Sequence, residues 1–160
     1  MTDTQEIQTV TFGLGAEIFA VPVTLVREIL DYRETFRIPN GPDYLLGLTD
    51  MRGEGIATID FRLRLGMPHV EPTPNTRILV VDVPVADRVL VLGLVVDRVL
   101  EVSTFRGDQI GAAPDIGVRW PSEYIAGVVK RTEGFVVLVD VARIFSAGEA
   151  ALLLPISSAA

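Results

Sequence analysis

The residues of this sequence that could perform acid–base or metal chemistry are few, and they lie far apart. The single histidine, His69, follows Met67-Pro68 in a proline-rich stretch and has no second ligand near it. A catalytic or metal-bound imidazole needs such neighbours to fix its protonation state. The chain also has no cysteine, which removes thiolate nucleophiles and cysteine-type zinc sites. We therefore expect His69 to be a solvated loop residue, and we expect no metal or other cofactor.

Two aspartates occupy matching places, each directly after an apolar strand and before a short helical segment. Asp60 follows Ile56-Ala57-Thr58-Ile59, and Asp140 follows Val136-Val137-Leu138-Val139. Paired carboxylates can perform general acid–base catalysis, but this position is typical of helix N-caps. Gly13-Leu14-Gly15 is too short for a dinucleotide-binding fingerprint and does not lead from a strand into a helix, so it predicts a turn.

Glu28 and Arg52 are the charged residues whose surroundings are most unusual. Arg52 precedes Gly53-Glu54-Gly55, and glycines at these places indicate a backbone that other residues rarely adopt. An exposed ion pair would add only about 0–1 kcal/mol to stability, so the two residues can equally be solvated surface charges. The sequence by itself does not show whether they meet.

The composition and charge exclude several classes of partner. The chain has 160 residues, 49% of them hydrophobic, and a net charge of −7. Nucleic acids and anionic membrane surfaces attract positive proteins, so neither is an expected partner. The N-terminus lacks a signal-peptide pattern, and the longest apolar stretch, residues 89–96, is far below the roughly 20 residues that span a bilayer. The predicted location is the cytoplasm, without membrane insertion.

Short apolar alternations separated by glycine and proline predict a mainly β chain. The predicted strands cover residues 9–12, 18–21, 45–51, 56–59, 77–83, 89–95, 99–102, 125–130 and 135–140. Three short helices are expected, over residues 23–30, 60–65 and 141–145. The first is indicated by the apolar spacing of Val23, Val26, Ile29 and Leu30, which fits one helical face. The proline-rich residues 67–75 are the best internal boundary, and a loop is expected before Pro121.

An internal repeat gives the organisation of the chain. Tyr44-Leu45-Leu46-Gly47-Leu48 matches Tyr124-Ile125-Ala126-Gly127-Val128 without a gap through to Asp60 and Asp140, and Val26, Glu28 and Ile29 match Val99, Glu101 and Val102. A repeated unit of four or five short strands is one supersecondary module used twice. Because closure removes exposed sheet edges, such strands favour small barrels. We therefore expect two small β-barrels packed together.

The ordered motifs over residues 9–153 resemble the CheW family of bacterial chemotaxis coupling proteins. The resemblance is carried by Val26-Arg27-Glu28-Ile29, residues 44–53, Ile59-Asp60-Phe61-Arg62, Gly93-Leu94-Val95-Val96-Asp97, residues 109–115, Tyr124-Ile125-Ala126-Gly127 and Val137-Leu138-Val139-Asp140. It implies two five-stranded SH3-like barrels with short helices, in a single CheW-like domain over residues 7–154. The sub-barrels are expected at about residues 7–75 and 76–150.

The resemblance also implies a function. Members of the family are non-catalytic adaptors that bridge the cytoplasmic tips of chemoreceptors to the regulatory domain of the histidine kinase CheA. A chemoreceptor helical hairpin would lie in the groove between the barrels, and the protein would be recruited to receptor arrays. By position, the implied receptor-binding residues are Val26, Glu28, Gly47, Met51, Arg52, Gly93 and Val99. A kinase contact is implied at Ile116, where the family can carry an aromatic residue.

Three residues depart from the family pattern. Asp50 stands where asparagine is usual, Gly55 where a branched apolar residue is usual, and Ala57 where proline is common. Asp50 places a carboxylate two residues from Arg52 and could compete with Glu28 for it, which predicts an altered receptor preference.

Two other functions remain open at this point. A CheW-like regulatory module could serve another sensor–kinase signalling system, with a different sensor in the groove. An enzyme or small-ligand binder could use the same SH3-like scaffold, because fold alone does not define function. The sequence offers no convergent set of polar residues for the latter.

Overall fold

The computed structural model describes residues 5–39, 41–85, 88–111, 124–132 and 134–144. Within these ranges the chain is mainly β, as predicted. The strands are β1 Glu6–Leu14, β2 Glu17–Pro22, β3 Val26–Asp31, β4 Leu45–Met51, β5 Glu54–Asp60, β6 Arg77–Val85, β7 Arg88–Val96, β8 Arg98–Arg106, β9 Ile110–Gly111, β10 Ile125–Arg131 and β11 Gly134–Val139. The helices are single turns, α1 Phe61–Arg64 and α2 Val141–Ile144.

The strands form two curled sheets that pack against each other. Sheet A has the order β8-β1-β2-β11-β10-β9, and sheet B has the order β3-β6-β7-β5-β4. Neighbouring strands are antiparallel except for β2 with β11 and β5 with β7, which are parallel. This arrangement confirms the predicted pair of SH3-like barrels with short helices, with a two-residue strand, β9, added to sheet A.

The repeat seen in the sequence is present in the hydrogen-bond register. In sheet B, Ala57 of β5 pairs with Leu92 of β7. In sheet A, Val137 of β11 pairs with Phe19 of β2. Val137 is the repeat partner of Ala57 and Phe19 that of Leu92, so the same pairing occurs twice. The two sheets are therefore related by an internal two-fold pseudosymmetry.

The two sheets do not divide at the boundary that we placed between residues 75 and 76. Sheet A takes β1 and β2 from the first half of the chain, and sheet B takes β6 and β7 from the second half. The proline-rich loop marks where the repeat begins again. However, the first hairpin of each half of the chain belongs to the sheet that the other half completes. The predicted ranges 7–75 and 76–150 therefore do not describe the hydrogen-bonded units.

Three hydrophobic clusters follow from this arrangement. The largest lies between the sheets and contains Phe12 and Phe19 from sheet A, Leu79 and Leu92 from sheet B, and Phe61 from α1. The rings of Phe12 and Phe61 lie 6.0 Å apart. Each fully buried side chain of this size contributes about 1.5–3 kcal/mol. We call this cluster the shared core.

Each sheet encloses a smaller cluster on the face that points away from the shared core. The sheet A cluster contains Ala20, Phe105, Val129, Val136 and Leu138. The sheet B cluster contains Met51, Ile56, Ile78, Val80 and Val91. Because side chains alternate along a strand, one face of each sheet fills its own barrel and the other fills the shared core.

The helix predicted over residues 23–30 is wrong. Only Val23–Leu25 form a single 3₁₀ turn, and Val26–Asp31 form strand β3. The pairing of β3 with β6 shifts between Val26 and Glu28, which marks a bulge. This extra residue places Val26 and Ile29 on the same side of the strand, because they pair with Val81 and Leu79 of the shared core. A bulged strand thus reproduced the i, i+3 spacing of a helix.

The other boundaries agree closely with the predictions. Asp60 caps α1, since its side-chain oxygen accepts hydrogen bonds from the backbone N–H groups of Arg62 and Leu63. Asp140 accepts a hydrogen bond from the N–H of Arg143, also as predicted. The predicted turn is narrower than expected, because Gly13 and Leu14 belong to β1. Strand β8 is longer, reaching Arg106 instead of Val102.

Gly47 adopts a backbone conformation that only glycine tolerates. Its φ is +145°, and an added Cβ would lie 2.7 Å from the carbonyl carbon of Phe36. The backbone of Phe36 approaches so closely because its N–H and C=O both bond to Leu48, each at 2.8 Å. Its repeat partner, Gly127, is confined in a different way, since a Cβ there would collide with the side chain of Ile110. These glycines allow an outer segment to join each sheet.

We expect Gly47→Ala to destabilise the protein by about 3 kcal/mol, because the methyl group must displace backbone rather than a flexible side chain. Urea denaturation gives the free energy of unfolding. The matched control is Gly53→Ala, whose φ is also positive but whose Cβ position meets nothing within 4 Å; it should cost about 1–2 kcal/mol. Equal losses in the two variants would contradict this explanation.

Candidate functional site

The structure divides the predicted receptor-binding residues into three groups. Glu28 and Arg52 form an ion pair at the edge of sheet B. Val26 and Val99 are half-buried and pack against the shared core. Gly47, Met51 and Gly93 are buried.

The ion pair is a two-pronged contact between strand β3 and the turn that joins β4 to β5. The Nη1 of Arg52 donates to Oε1 of Glu28 at 3.0 Å, and Nη2 donates to Oε2 at 3.3 Å. The Arg52 side chain is 74% exposed and that of Glu28 is 30% exposed. A guanidinium has five N–H donors, so after making these two hydrogen bonds Arg52 still has donors for a partner. The structure thus brings together the two residues that the sequence could not connect.

Asp50 positions this turn. Its Oδ1 accepts a hydrogen bond of 3.0 Å from the N–H of Gly53. Arg52, between them, has a φ of +55°, a left-handed conformation that is unfavourable for a residue with a side chain. The expected competition between Asp50 and Glu28 for Arg52 is not what the structure shows, because the Asp50 carboxylate bonds to the turn backbone and Arg52 bonds to Glu28.

Apolar residues line the edge strands of both sheets beside the shared core. Val26 and Ile29 of β3 lie on one side of the pseudo-two-fold axis, and their repeat partners Val99 and Val102 of β8 lie on the other. Ile29 is 43% exposed and Val102 is 61% exposed. The sequence analysis did not select these last two residues, although their matched places in the repeat were a usable signal.

Met51 and Gly93 lie inside the sheet B barrel, whereas Gly47 lies beneath the backbone of Phe36. Gly93 pairs with Thr58, and a Cβ on it would lie 2.9 Å from the side chain of Ile78. Met51 belongs to the sheet B cluster, directly behind Arg52. All three residues are buried, and the receptor contacts predicted for them stay predictions.

Arg62 and Asp97 form a polar network that the sequence analysis did not identify. Arg62 donates to Asp97 from Nε at 2.9 Å and from Nη2 at 2.8 Å, and Asp97 also accepts the N–H of Gly15 at 2.7 Å. Burial opposes ionisation of Asp97, but the hydrogen bonds from Arg62 and Gly15 outweigh it and lower the pKa of the carboxyl. The network joins α1 beside sheet B to the first hairpin of sheet A.

His69 is not the plain solvated residue that we expected. Its Nδ1 lies 2.7 Å from Oδ2 of Asp60, the residue that caps α1. The His69 side chain is 46% exposed, whereas that of Asp60 is 6% exposed. The hydrogen bond to Asp60 raises the pKa of the imidazole against a smaller opposing effect of burial. His69 therefore fastens the proline-rich loop to the end of β5.

The remaining predicted residues lie elsewhere. Ile116 is outside the described residues. Gly55 pairs with Asp50 in the β4–β5 hairpin, and Ala57 is buried in the shared core. Neither of these last two departures from the family pattern lies on an edge strand, β3 or β8.

The chemistry of the described residues is that of recognition. They contain no group of three or more His, Asp and Glu that could hold a metal ion. None of the helices in the described part of the chain is long and apolar enough to cross a membrane. Exposed apolar residues beside an arginine with unused donors are typical of a protein–protein contact. The fold and the site together define a duplicated-barrel interaction module.

Comparison with known proteins gives the family. Residues 8–149 match the CheW-like domain. The chain belongs to the CheW family. It is 34% identical over 142 residues to the chemotaxis protein CheW of Klebsiella aerogenes, covering 89% of this chain and 83% of that protein. It is 31% identical over 140 residues to CheW of Rhizobium meliloti, covering 88% of each chain.

A solved structure shows the same fold. The scaffolding protein TtCheW of Thermoanaerobacter tengcongensis aligns with a TM-score of 0.79 at 22% sequence identity, covering 91% of this chain and 96% of that one. The match of residues 8–149 and the two relatives confirm the resemblance to the CheW family noted in the sequence.

The contact between His69 and Asp60 predicts a pH dependence of stability. Because the folded-state pKa of His69 is raised, its stabilisation is complete below the unfolded value near 6.5 and is lost as the pH rises through the folded value. His69→Asn retains an N–H donor near the Nδ1 position but does not titrate. The melting temperature of the wild type should exceed that of the variant by on the order of 2 °C more at pH 6 than at pH 9. A difference independent of pH would contradict this.

Proposed function

We propose that this chain is a non-catalytic adaptor that couples chemoreceptors to the histidine kinase CheA in chemotaxis. Membership of the CheW family supports this role. The observation on the structure that carries it is the surface of the outermost strands, where Val26, Ile29 and Val99 lie on the shared-core side and the Arg52–Glu28 pair lies on the opposite side of β3. This surface, the edge surface, offers a protein partner both an apolar stripe and a fixed polar contact.

The edge surface suits a helical partner. The Val26 and Val99 side chains are half-buried and pack against the shared core, so the apolar stripe is held in place. An amphipathic helix presents apolar residues at i, i+3, i+4 and i+7, which match a stripe of this kind. We infer that the cytoplasmic tip of a chemoreceptor, a helical hairpin, lies along the edge surface, between the two barrels.

Arg52 fixes the position of the partner helix along the edge surface. Glu28 neutralises the guanidinium and fixes its plane, and Asp50 holds the turn that carries it. The remaining N–H donors fit a carboxylate or amide oxygen on the helical partner. Such a contact contributes more to specificity than to affinity.

The kinase contact is proposed at the outer ends of the barrels, with Ile116 as its candidate in the second half of the chain. The adaptor is proposed to act in the cytoplasm, where it would join receptor arrays through the edge surface, and to need no cofactor.

The test is a pull-down of the purified chain with two baits, a chemoreceptor cytoplasmic tip and the CheA regulatory domain. Arg52→Glu should lose most of the receptor binding, because a carboxylate then faces Glu28 and the partner's acceptors, while CheA binding and the melting temperature stay near wild type. Arg106→Glu is the control, since Arg106 is an exposed arginine that pairs with Asp108 at the opposite end of β8 from Val99. Receptor binding that survives Arg52→Glu would refute the edge surface as the site.

The same experiment separates adaptor functions. Binding of the wild type to both baits supports the coupling role. Binding to neither bait would refute it and favour a CheW-like module that serves another sensor–kinase system.

Asp50→Asn tests the role of the Asp50 charge. Asparagine retains an oxygen to accept the Gly53 N–H, so the turn and the melting temperature should be preserved. Removing a negative charge two residues from Arg52 should strengthen binding to an acceptor-bearing receptor helix about two- to fivefold at low salt. Isothermal titration gives the dissociation constant, and an unchanged value would contradict the proposed effect of this departure.

A further inference from the structure

The internal pseudosymmetry places a second acid–base pair on the sheet A barrel. Glu101 of β8 is the repeat partner of Glu28. Its Oε2 lies 3.8 Å from Nη1 of Arg131, at the end of β10. The Nη2 of Arg131 donates to the hydroxyl of Ser103 at 3.2 Å, and that hydroxyl bonds to Glu101 at 3.3 Å. Both barrels therefore carry a glutamate on the edge strand that pairs with an arginine from the neighbouring hairpin.

The arginine of the second pair occupies a different place in the repeat. Arg131 matches Met51, one position before the match to Arg52. Met51 covers the end of the sheet B cluster, and the Arg131 guanidinium lies 5.3 Å from the ring centre of Phe105 in the sheet A cluster. Arg131 thus covers the end of its own barrel as Met51 does, and it also supplies a charge. The second half of the chain therefore has a charged arginine where the first half has an apolar methionine.

The second pair lies on the same edge strand as Val99 and Val102, but on the other face of that strand. Glu101 lies on β8 between Val99 and Val102, the repeat partners of Val26 and Ile29. Val99 packs against the same shared core as Val26. The molecule therefore presents two similar sets of residues, each with an apolar part and an arginine–glutamate pair, on either side of one pseudo-two-fold axis.

We infer that Glu101 and Arg131 form a second polar contact for the same chemoreceptor hairpin, one helix of which meets each barrel. An antiparallel pair of helices has a local two-fold axis of its own, so it can meet both sets in the same way. Arg131 is a half-exposed cation with N–H donors, which fits a carboxylate or amide oxygen on the second helix. This inference rests on the proposed function and extends it to the sheet A barrel.

The experiment is isothermal titration of a folded chemoreceptor tip into the full chain. The main variant is Arg131→Met, which introduces the residue found at the matching position 51, so packing over Phe105 is retained. We expect affinity to fall about three- to tenfold at low salt, with one hairpin bound per chain before and after. Arg52→Met is the matched variant at the first contact, and Arg106→Met is the control for loss of an exposed arginine.

The outcomes separate the two proposals. Weaker binding in both Arg52→Met and Arg131→Met, with an unchanged melting temperature, supports the second contact. Loss in Arg52→Met alone refutes the second contact and leaves the proposed function in place. A stoichiometry of two hairpins per chain also refutes it, because the two barrels would then act separately. No binding by the wild type would refute the proposed function itself.

Discussion

The structure depends on the exchange of hairpins between the two halves of the chain. Each sheet is completed by a parallel pair, β2 with β11 and β5 with β7, that joins strands from different repeats. Neither half can close its barrel alone, because the strands that would do so belong to the other sheet. The exchange forces both sheets to place one face on a common core. The two barrels therefore complete each other's sheets and share one core.

This constraint also creates the candidate binding surface. The exchange leaves β3 and β8 as the outermost strands of sheets B and A, next to the shared core. The bulge in β3 places Val26 and Ile29 on that side, while Glu28 points the other way to meet Arg52. A partner on this edge therefore contacts both barrels, and its binding depends on how they are joined. The Arg62–Asp97–Gly15 network holds that junction with a partly buried ion pair, which is costly to break by removing one partner.

Much of the fold was predictable because it depends on local patterns. Strand β4, the Asp60 and Asp140 caps and the repeat were all found from alternation and spacing. The helix over residues 23–30 was wrong because a bulge and a helix give the same three-residue spacing. The boundary between the two sub-barrels did not match the sheets, because a repeat in the sequence does not show which strands are exchanged. The Arg52–Glu28 pair and the contact of His69 with Asp60 depend on tertiary register, which a single sequence does not contain.

Comparison of the two repeats shows which residues the fold requires and which ones can specialise. The confined glycines, Gly47 and Gly127, and the capping aspartates occur in both halves, because the backbone needs them wherever the module is used. The side chains that contact the two capping aspartates differ between the halves. Asp60 binds His69, whereas Asp140 lies 3.4 Å from Arg143. A duplicated backbone with divergent surface charges can present two related but unequal faces, which is what an adaptor between unlike partners requires.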